Sequence, residues 1–329
     1  MSKKVLITGA TGFVAYHLIE QALIAGLGVY GAIRKQSDVS HLREFPIQYI
    51  DLDYTSVATL TRQLEENQFH YIIHAAGITK AKTSEEYHLV NVLYSKNLAM
   101  AAVAADIPLK KFIFVSSLAA LGPIDDLAAT INDDQIGKPV TSYGLSKLQA
   151  EGYLNQIPGL PLVIIRPTAV YGPREKDIFI LFKSINRGLE PYIGSFKQQL
   201  SFVYVKDLAK VILAALFSDV QGKSYNISDG GIYDRYSLAA FARTALAKKT
   251  IKFHLPILLV SALAVVMEIV YKNSKNAPAL NREKMAELTA VNWACNINNA
   301  KHDLGYAPEF DLQRGLGDTL KWYKDHRWL

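Results

Sequence analysis

Val5-Leu6-Ile7-Thr8-Gly9-Ala10-Thr11-Gly12-Phe13-Val14-Ala15 begins with a short apolar run, passes through a turn marked by two glycines and enters a helical pattern. An apolar run bounded by glycine reads as a buried strand, and a strand that feeds a helix through so tight a turn opens a βαβ unit. Gly9 permits the turn, Gly12 lets the main chain approach a pyrophosphate, and Ala15 is small enough for close packing of helix on strand. The helix N-terminus attracts the anion. Together with Thr11, Phe13 and Val14, these residues form a candidate dinucleotide cradle.

Outward from this turn the pattern repeats. Lys4 to Thr8, Gly28 to Ile33, Gln48 to Ile50, Tyr71 to His74, Lys111 to Val115 and Leu162 to Ile165 read as buried strands. Between them, stretches such as Ala15 to Ala25 and Leu89 to Ala105 carry apolar residues at helical spacing without internal proline. This alternation predicts an α/β protein with a doubly wound parallel sheet covered on both faces. After Pro167 the regularity loosens, with Pro173, Gly188, Pro191 and Gly194 framing a helix near Ile178 to Arg187. Ser201 to Val205 and Ser224 to Ile227 read as strands returning to the sheet. The helix between them, Lys206 to Phe217, has Asp207 near its N-terminus, where it favours the helix dipole.

The formal charge of the 329-residue chain is +6, but its basic residues are scattered and do not interleave with aromatics, which argues against nucleic acid. Cys295 is the single cysteine, so no internal disulfide forms, and no cysteine and histidine spacing suits a metal. A reducing compartment fits best. No signal-peptide core follows Met1 to Lys4, and the expected location is cytoplasmic.

The second strand ends in Ile33-Arg34-Lys35. An acid there binds ribose hydroxyls and an arginine pairs with a 2′-phosphate, so Arg34 favours NADP(H), with NAD(H) as the alternative. Further on, Tyr143 and Lys147 lie four apart on a predicted helix and share a face. A phenol has a reference pKa of about 10, and a nearby ammonium favours the phenolate, which makes a proton shuttle at neutral pH. Upstream, Phe112 to Val115 runs into Ser116 and Ser117. Strand C-termini face the ligand crevice of such sheets, and a serine there can polarise a substrate oxygen. Ser117, at the beginning of the loop, suits that role, whereas Ser116 reads as closing the strand.

In order along the chain, these pieces resemble the extended short-chain dehydrogenase/reductase superfamily, over nearly its whole length. The matching residues are Gly9, Gly12 and Ala15; Asp51 and Leu52; His74, Ala75 and Ala76; Asn91; Ser117; Tyr143 with Lys147; Arg166, Pro167 and Val170 to Pro173; and Phe202 to Val205 with Asp207. The resemblance implies Tyr143 as acid/base, Lys147 as the group that binds the nicotinamide ribose and lowers the tyrosine's pKa, and Ser117 as the holder of the substrate oxygen. It implies that Asn91 organises the proton relay, that Asp51 and Leu52 lie near the adenine, and that Ala75, Ala76 and Pro167 line the cofactor. It also implies a Rossmann-type dinucleotide-binding domain over 1–167, its sheet rejoined by about 201–228. A smaller, mostly helical substrate-binding part would come from 168–200 and 229–329. Pairing through the helices that bear Asn91 and Tyr143 would give a homodimer. Two departures stand out: Ala15 replaces a third glycine, and Leu93-Tyr94 replaces the usual Gly-Thr after Asn91.

Three positions depart from the nucleotide-sugar members. Ala169 stands where they carry an asparagine, Leu200 and Ser201 replace a phosphate-gripping arginine, and Ser117 is followed by Leu118-Ala119-Ala120 rather than the acid pair of a dehydratase. The apolar run Leu255 to Tyr271 is too short, and too interrupted by Glu268, for a membrane span. Lysines 248, 249, 252, 272 and 275 flank it, which leaves open a helix on a membrane surface, an apolar lid, and a buried or dimer-forming helix. The region is similar to that of the 3β-hydroxysteroid dehydrogenase and dihydroflavonol reductase-like branch, whose substrates are apolar alcohols and ketones. An NAD(P)-dependent oxidoreductase acting on such a compound is therefore expected. The alternatives are a nucleotide-sugar epimerase and a non-catalytic cofactor-sensing or scaffold protein.

Overall fold

A computed structural model describes residues 2–271, 274, 278 and 280–329; Lys272 and Lys275, named above as flanking the apolar run, lie outside them. The central sheet is built from β1 (Lys4–Thr8), β2 (Gly28–Ala32), β3 (Gln48–Ile50), β4 (Tyr71–His74), β5 (Lys111–Val115), β6 (Leu162–Pro167) and β7 (Lys223–Ile227). Its spatial order is 7-6-5-4-1-2-3 in these labels, and every neighbouring pair is parallel. The order reverses between β1 and β4, which opens a crevice at the C-terminal ends of those strands.

Side-chain alternation explains why the inner strands are mostly apolar; β3, expected to be buried, is instead an edge strand with Gln48 and Tyr49 exposed. Val5 and Ile7 join one core with α1 (Phe13–Ile24), while Leu6 between them joins the opposite core with α2 (Val57–Asn67), α3 (Tyr94–Ala104) and α4 (Ser142–Asn155). The first core also takes in α5 (Val205–Phe217). A strand covered on both faces has no position left for a solvated residue. Ala15 is buried where α1 meets the sheet, so the missing third glycine leaves the packing close.

Two expectations change. Of the two strands expected to return to the sheet, only the second does so. Phe202–Tyr204 pairs instead with Ala169–Tyr171 in a separate ribbon. The cause is its two-sided burial: Val203 faces the main-sheet core, while Phe202 and Tyr204 turn into an aromatic core with Tyr171, Phe182 and Tyr323. Asp207 does lie in the first turn of α5, but it is buried and accepts the N–H groups of Glu309 (3.0 Å) and Phe310 (2.9 Å). It thus fastens the C-terminal segment as well as complementing the dipole.

Past Tyr236 the chain is mostly helical, with one addition: Ile251–Leu255 forms a parallel pair with Leu189–Ile193. This strand leads into α6 (Ile257–Tyr271) and then α7 (Arg282–Thr289). Only Val260 and Ala264 of α6 are buried, so a helix buried against the sheet is excluded. No helix among the described residues is long and apolar enough to cross a membrane.

Candidate active site

The glycine turn is held against the end of β4. Gly9 has φ +67°, and a Cβ there would stand 2.8 Å from Ala76 Cα and 3.1 Å from the Ala75 carbonyl oxygen, so only glycine fits. Gly12 donates its N–H to Gly9 (2.8 Å) and caps α1 without a side chain, leaving the first-turn amides of the helix facing the crevice. Thr11, Phe13 and Val14 continue that edge. Ala10 donates to Ala32 at the end of β2, which brings the turn alongside the segment carrying Arg34. Arg34 is exposed, with its main-chain N–H on Ser37 Oγ. Asp51 is exposed just past β3, Leu52 is buried beside it, and Pro167 closes β6.

A chain of hydrogen bonds runs from this loop to the next helix. Ala76 N–H donates to Thr8 Oγ1 (3.0 Å), Thr8 Oγ1 pairs with His74 Nδ1 (2.7 Å), His74 Nε2 pairs with Ser95 Oγ (2.8 Å), and Ser95 donates to the Asn91 carbonyl (2.7 Å). Burial, helped by the nearby Lys147 charge, pushes His74 down to about 3, so the ring is neutral. Each hydroxyl has one proton to give. With Ser95's proton spent on Asn91, the ring proton must sit on Nε2, and Thr8 must donate to Nδ1.

Asn91 lies in a π-helical segment, His88–Leu93, of the kind that often marks a functional position. Its side chain accepts from Ile78 N (2.8 Å) and donates to Ile78 O (3.0 Å) and Ser146 Oγ (3.0 Å). It therefore clamps the loop after β4 to α4. Gly77 sits between Asn91 and Lys147: a Cβ there would be 3.1 Å from Asn91 Oδ1 and 3.2 Å from Lys147 Nζ.

Helix α4 carries Tyr143 and Lys147 on one face. Gly144, between them, meets the turn after β5, where a Cβ would stand 2.3 Å from the Ala119 carbonyl oxygen. That close approach brings Ser117 beside Tyr143. Ser117 caps the short turn Leu118–Ala120 by accepting the Ala119 N–H (3.2 Å). Burial pushes the Tyr143 phenol up to about 12; a hydrogen bond with Ser117 opposes the shift, and Glu287 and Tyr87 add to it. The phenol is thus protonated at neutral pH. Lys147 is buried, with Nζ donating to the Val115 carbonyl (2.9 Å) and lying 4.8 Å from the Phe114 ring centre. Desolvation brings its pKa down to about 8 and Glu151 pulls the other way. The lowering of the tyrosine's pKa by Lys147, expected from sequence, is thus reversed here: the ammonium is turned onto Val115 and burial dominates the phenol.

Several residues around the site gave no signal in the motif reading. Glu151 lies one turn beyond Lys147 and is buried, accepting from Ser116 Oγ and from Arg166 Nε (3.0 Å) and Nη2 (2.6 Å). The spacing 143, 147, 151 was the available signal. Ser116 is therefore a strut between β5 and α4, distinct in role from Ser117. Over the open side lies α7: Ser142 donates to Glu283, and Glu287 acts on both Tyr143 and Tyr87, whose rings are 6.3 Å apart. Beyond α7 is a cleft of about 510 Å³ whose lining includes Lys197, Gln199 and Arg235. Positions 200 and 201 lack a cation, yet two enter the cleft from other positions. Among the described residues, no cluster of histidine, cysteine and acidic side chains suits a metal ion.

Comparison with known proteins gives this arrangement a context. Sterol-4-alpha-carboxylate 3-dehydrogenase (decarboxylating) of Candida albicans is 27% identical, with 98% of each chain covered. Ceramide reductase of Caulobacter vibrioides is also 27% identical, over 99% of this chain and 96% of that protein. Other relatives are named as epimerases and as a 4,6-dehydratase. Among solved structures, UDP-glucose 4-epimerase of Thermotoga maritima with UDP-glucose has a TM-score of 0.80 at 20% identity, covering 98% of this chain and 99% of that one. Residues 5–228 match the NAD dependent epimerase/dehydratase family, well over half of the chain. The protein therefore belongs to that family, and with it to the extended short-chain dehydrogenases/reductases.

Proposed function

We propose that the protein is a nicotinamide-dependent reductase or dehydrogenase acting on an apolar ketone or alcohol, with Tyr143, Lys147, Ser117 and Asn91 as its working residues. The observation that carries the reading is the Ser117 hydroxyl set against the Tyr143 phenol, with Lys147 one turn along the same helix. Gly9 and Gly12 fold the turn tightly against the end of β4, which leaves the first-turn amides of α1 to meet a pyrophosphate, and Lys147 lies close to the loop at Gly77, so the residues fit the dinucleotide. When bound, that group supplies or accepts a hydride. Thr11, Phe13, Val14, Asp51, Leu52, Ala75, Ala76 and Pro167 would line it. Arg34, exposed at the end of β2, favours the phosphorylated form.

Ser117 would hold the substrate oxygen by a hydrogen bond, and Tyr143, protonated at neutral pH, would give its proton to the oxygen as charge develops there. That resting state suits reduction. Oxidation asks for the phenolate, which Lys147 can favour only by swinging from Val115 toward the phenol. Asn91 holds the loop and the helix in register while this happens. The relatives named for a sterol carboxylate and for ceramide support an apolar substrate and the 3β-hydroxysteroid dehydrogenase-like branch, held by 168–200 and 229–329. Exposed Leu89, Leu93, Met100, Val103, Leu145 and Tyr153 on the helices bearing Asn91 and Tyr143 support a homodimer.

A second reading, a nucleotide-sugar epimerase, is favoured by Lys197 and Arg235 in the cleft. Coupled assays with NADPH and NADH over apolar ketones separate the two. Turnover of a ketone, lost about a thousandfold or more in Tyr143→Phe while cofactor affinity is kept, is the expected result. Retained turnover in Tyr143→Phe, or activity on a nucleotide sugar alone, would overturn the proposal.

A further inference from the structure

Helix α6 presents an apolar face that no described residue covers. At 100° per residue, Leu258, Leu259, Ala262, Leu263, Val266, Ile269 and Val270 fall within an arc of about 140°. All seven are exposed, Leu258 at 85% and Ile269 and Val270 at 68%. The helix is anchored by its opposite side, where Val260 and Ala264 pack against Met285 of α7. Its one charge, Glu268, is turned to that inner side and accepts from Arg282 N–H (2.8 Å) and Nε (3.0 Å). The outer face carries no polar group at all, which is rare on a solvated helix.

The sequence on either side of this helix is basic. Between positions 235 and 267 there are five cations, Arg235, Arg243, Lys248, Lys249 and Lys252, and no aspartate or glutamate, in a chain whose formal net charge is +6. Lys248, Lys249 and Lys252 are exposed, and Ile251 among them is 70% exposed. The sequence also places Lys272 and Lys275 just past the other end of the helix. An apolar strip with lysines in the sequence that flanks it matches the acyl chains and the anionic headgroups of a bilayer surface. A second copy fits less well, because a two-fold contact along α6 would set the same lysines against each other.

We infer that α6 is an interfacial docking helix, by which the protein lies on an anionic membrane with the seven-residue face immersed in the headgroup and acyl boundary. At 15 residues the helix is about 22 Å long, which suits lying in the interface and not crossing it. The docked helix would stand next to the open side of the site, since α6 holds α7 through Met285 and Arg282, and α7 holds Ser142 of the helix bearing Tyr143. The inference is independent of the catalytic reading: membrane binding is measured without turnover, so either can fail alone.

The full chain is to be tested by flotation with phosphatidylcholine vesicles and with vesicles containing about 30% phosphatidylglycerol. Binding to the anionic vesicles is expected to be roughly tenfold tighter, and weakened by salt. Leu258→Asp with Leu263→Asp should reduce it at least about tenfold without lowering the melting temperature, and Lys248→Glu with Lys249→Glu should remove the preference for phosphatidylglycerol. Failure to float with either vesicle overturns the inference. So does binding that the Leu258 and Leu263 changes leave intact, or a dimer in solution that those changes dissolve.

Discussion

Around Tyr143 polar groups are buried, and along α6 apolar groups are exposed. In the first region buried polar groups find partners within the chain: Thr8 with His74, Ser95 with Asn91, Lys147 with Val115, Ser116 and Arg166 with Glu151. A partner must be supplied for each, because an unpaired polar group in that environment is costly. The exposed face of α6 asks nothing of the rest of the fold. The first region is therefore specified by contacts within the chain, and the second only by what it meets outside it.

The largest expected effect tests the first half of this contrast. Glu151→Gln leaves the buried Arg166 guanidinium without a counter-charge and should cost about 3–5 kcal/mol in urea unfolding. It should also lower the pKa of Lys147 further, because Glu151 is the charge that holds it up. A loss below 1 kcal/mol would mean that the network is already satisfied by water. Next comes Lys147→Met. Since the folded pKa of Lys147, about 8, lies below the ordinary lysine value, the unfolded chain binds more protons between the two, and stability rises with pH over that interval. The variant should melt at a higher temperature than the parent at neutral pH and lose the rise above pH 8, while losing activity. Melting curves at a series of pH values decide it; an unchanged pH dependence breaks the assignment. The smallest effect is expected from Leu258→Ser, which should change the unfolding free energy by no more than about 0.5 kcal/mol. A cost of about 2 kcal/mol would show that the face is covered in solution and would erase the contrast between the two regions.

The difference also decides what could be read from sequence. The inner strands of the sheet announce themselves because burial on both faces forces continuous apolar runs, and the six strands predicted before Pro167 lie where expected to within two residues. The glycine turn and the Tyr143 to Lys147 spacing are equally legible, since each is a local pattern with a fixed geometry. The parallel pairing of Ile251–Leu255 with Leu189–Ile193 is not: Ile251 to Leu255 alternates apolar and polar residues, but its partner lies about sixty positions away. Glu151 escaped notice for a related reason. An acid on a helix is ordinary, and its meaning comes from Arg166 on β6 and Ser116 on β5, which only the folded sheet brings to it. Likewise, nothing local in Glu283 and Glu287 tells that α7 lies across the tyrosine.

The neutral ring of His74 has a further consequence, for behaviour in acid. The unfolded imidazole takes up a proton near pH 6.5, whereas in the fold it resists protonation down to about 3. Acidification through that interval therefore favours the unfolded chain. A proton forced onto Nδ1 would turn the Thr8 bond around, since Thr8 would have to accept where it now donates. The loop carrying Ala76 and the helix turn carrying Asn91 hang on the two ends of that one ring. Acid approaching pH 3 should thus part the cofactor edge from the catalytic helix, and an imidazole hidden from solvent would set the lower limit of the pH range in which the protein can work.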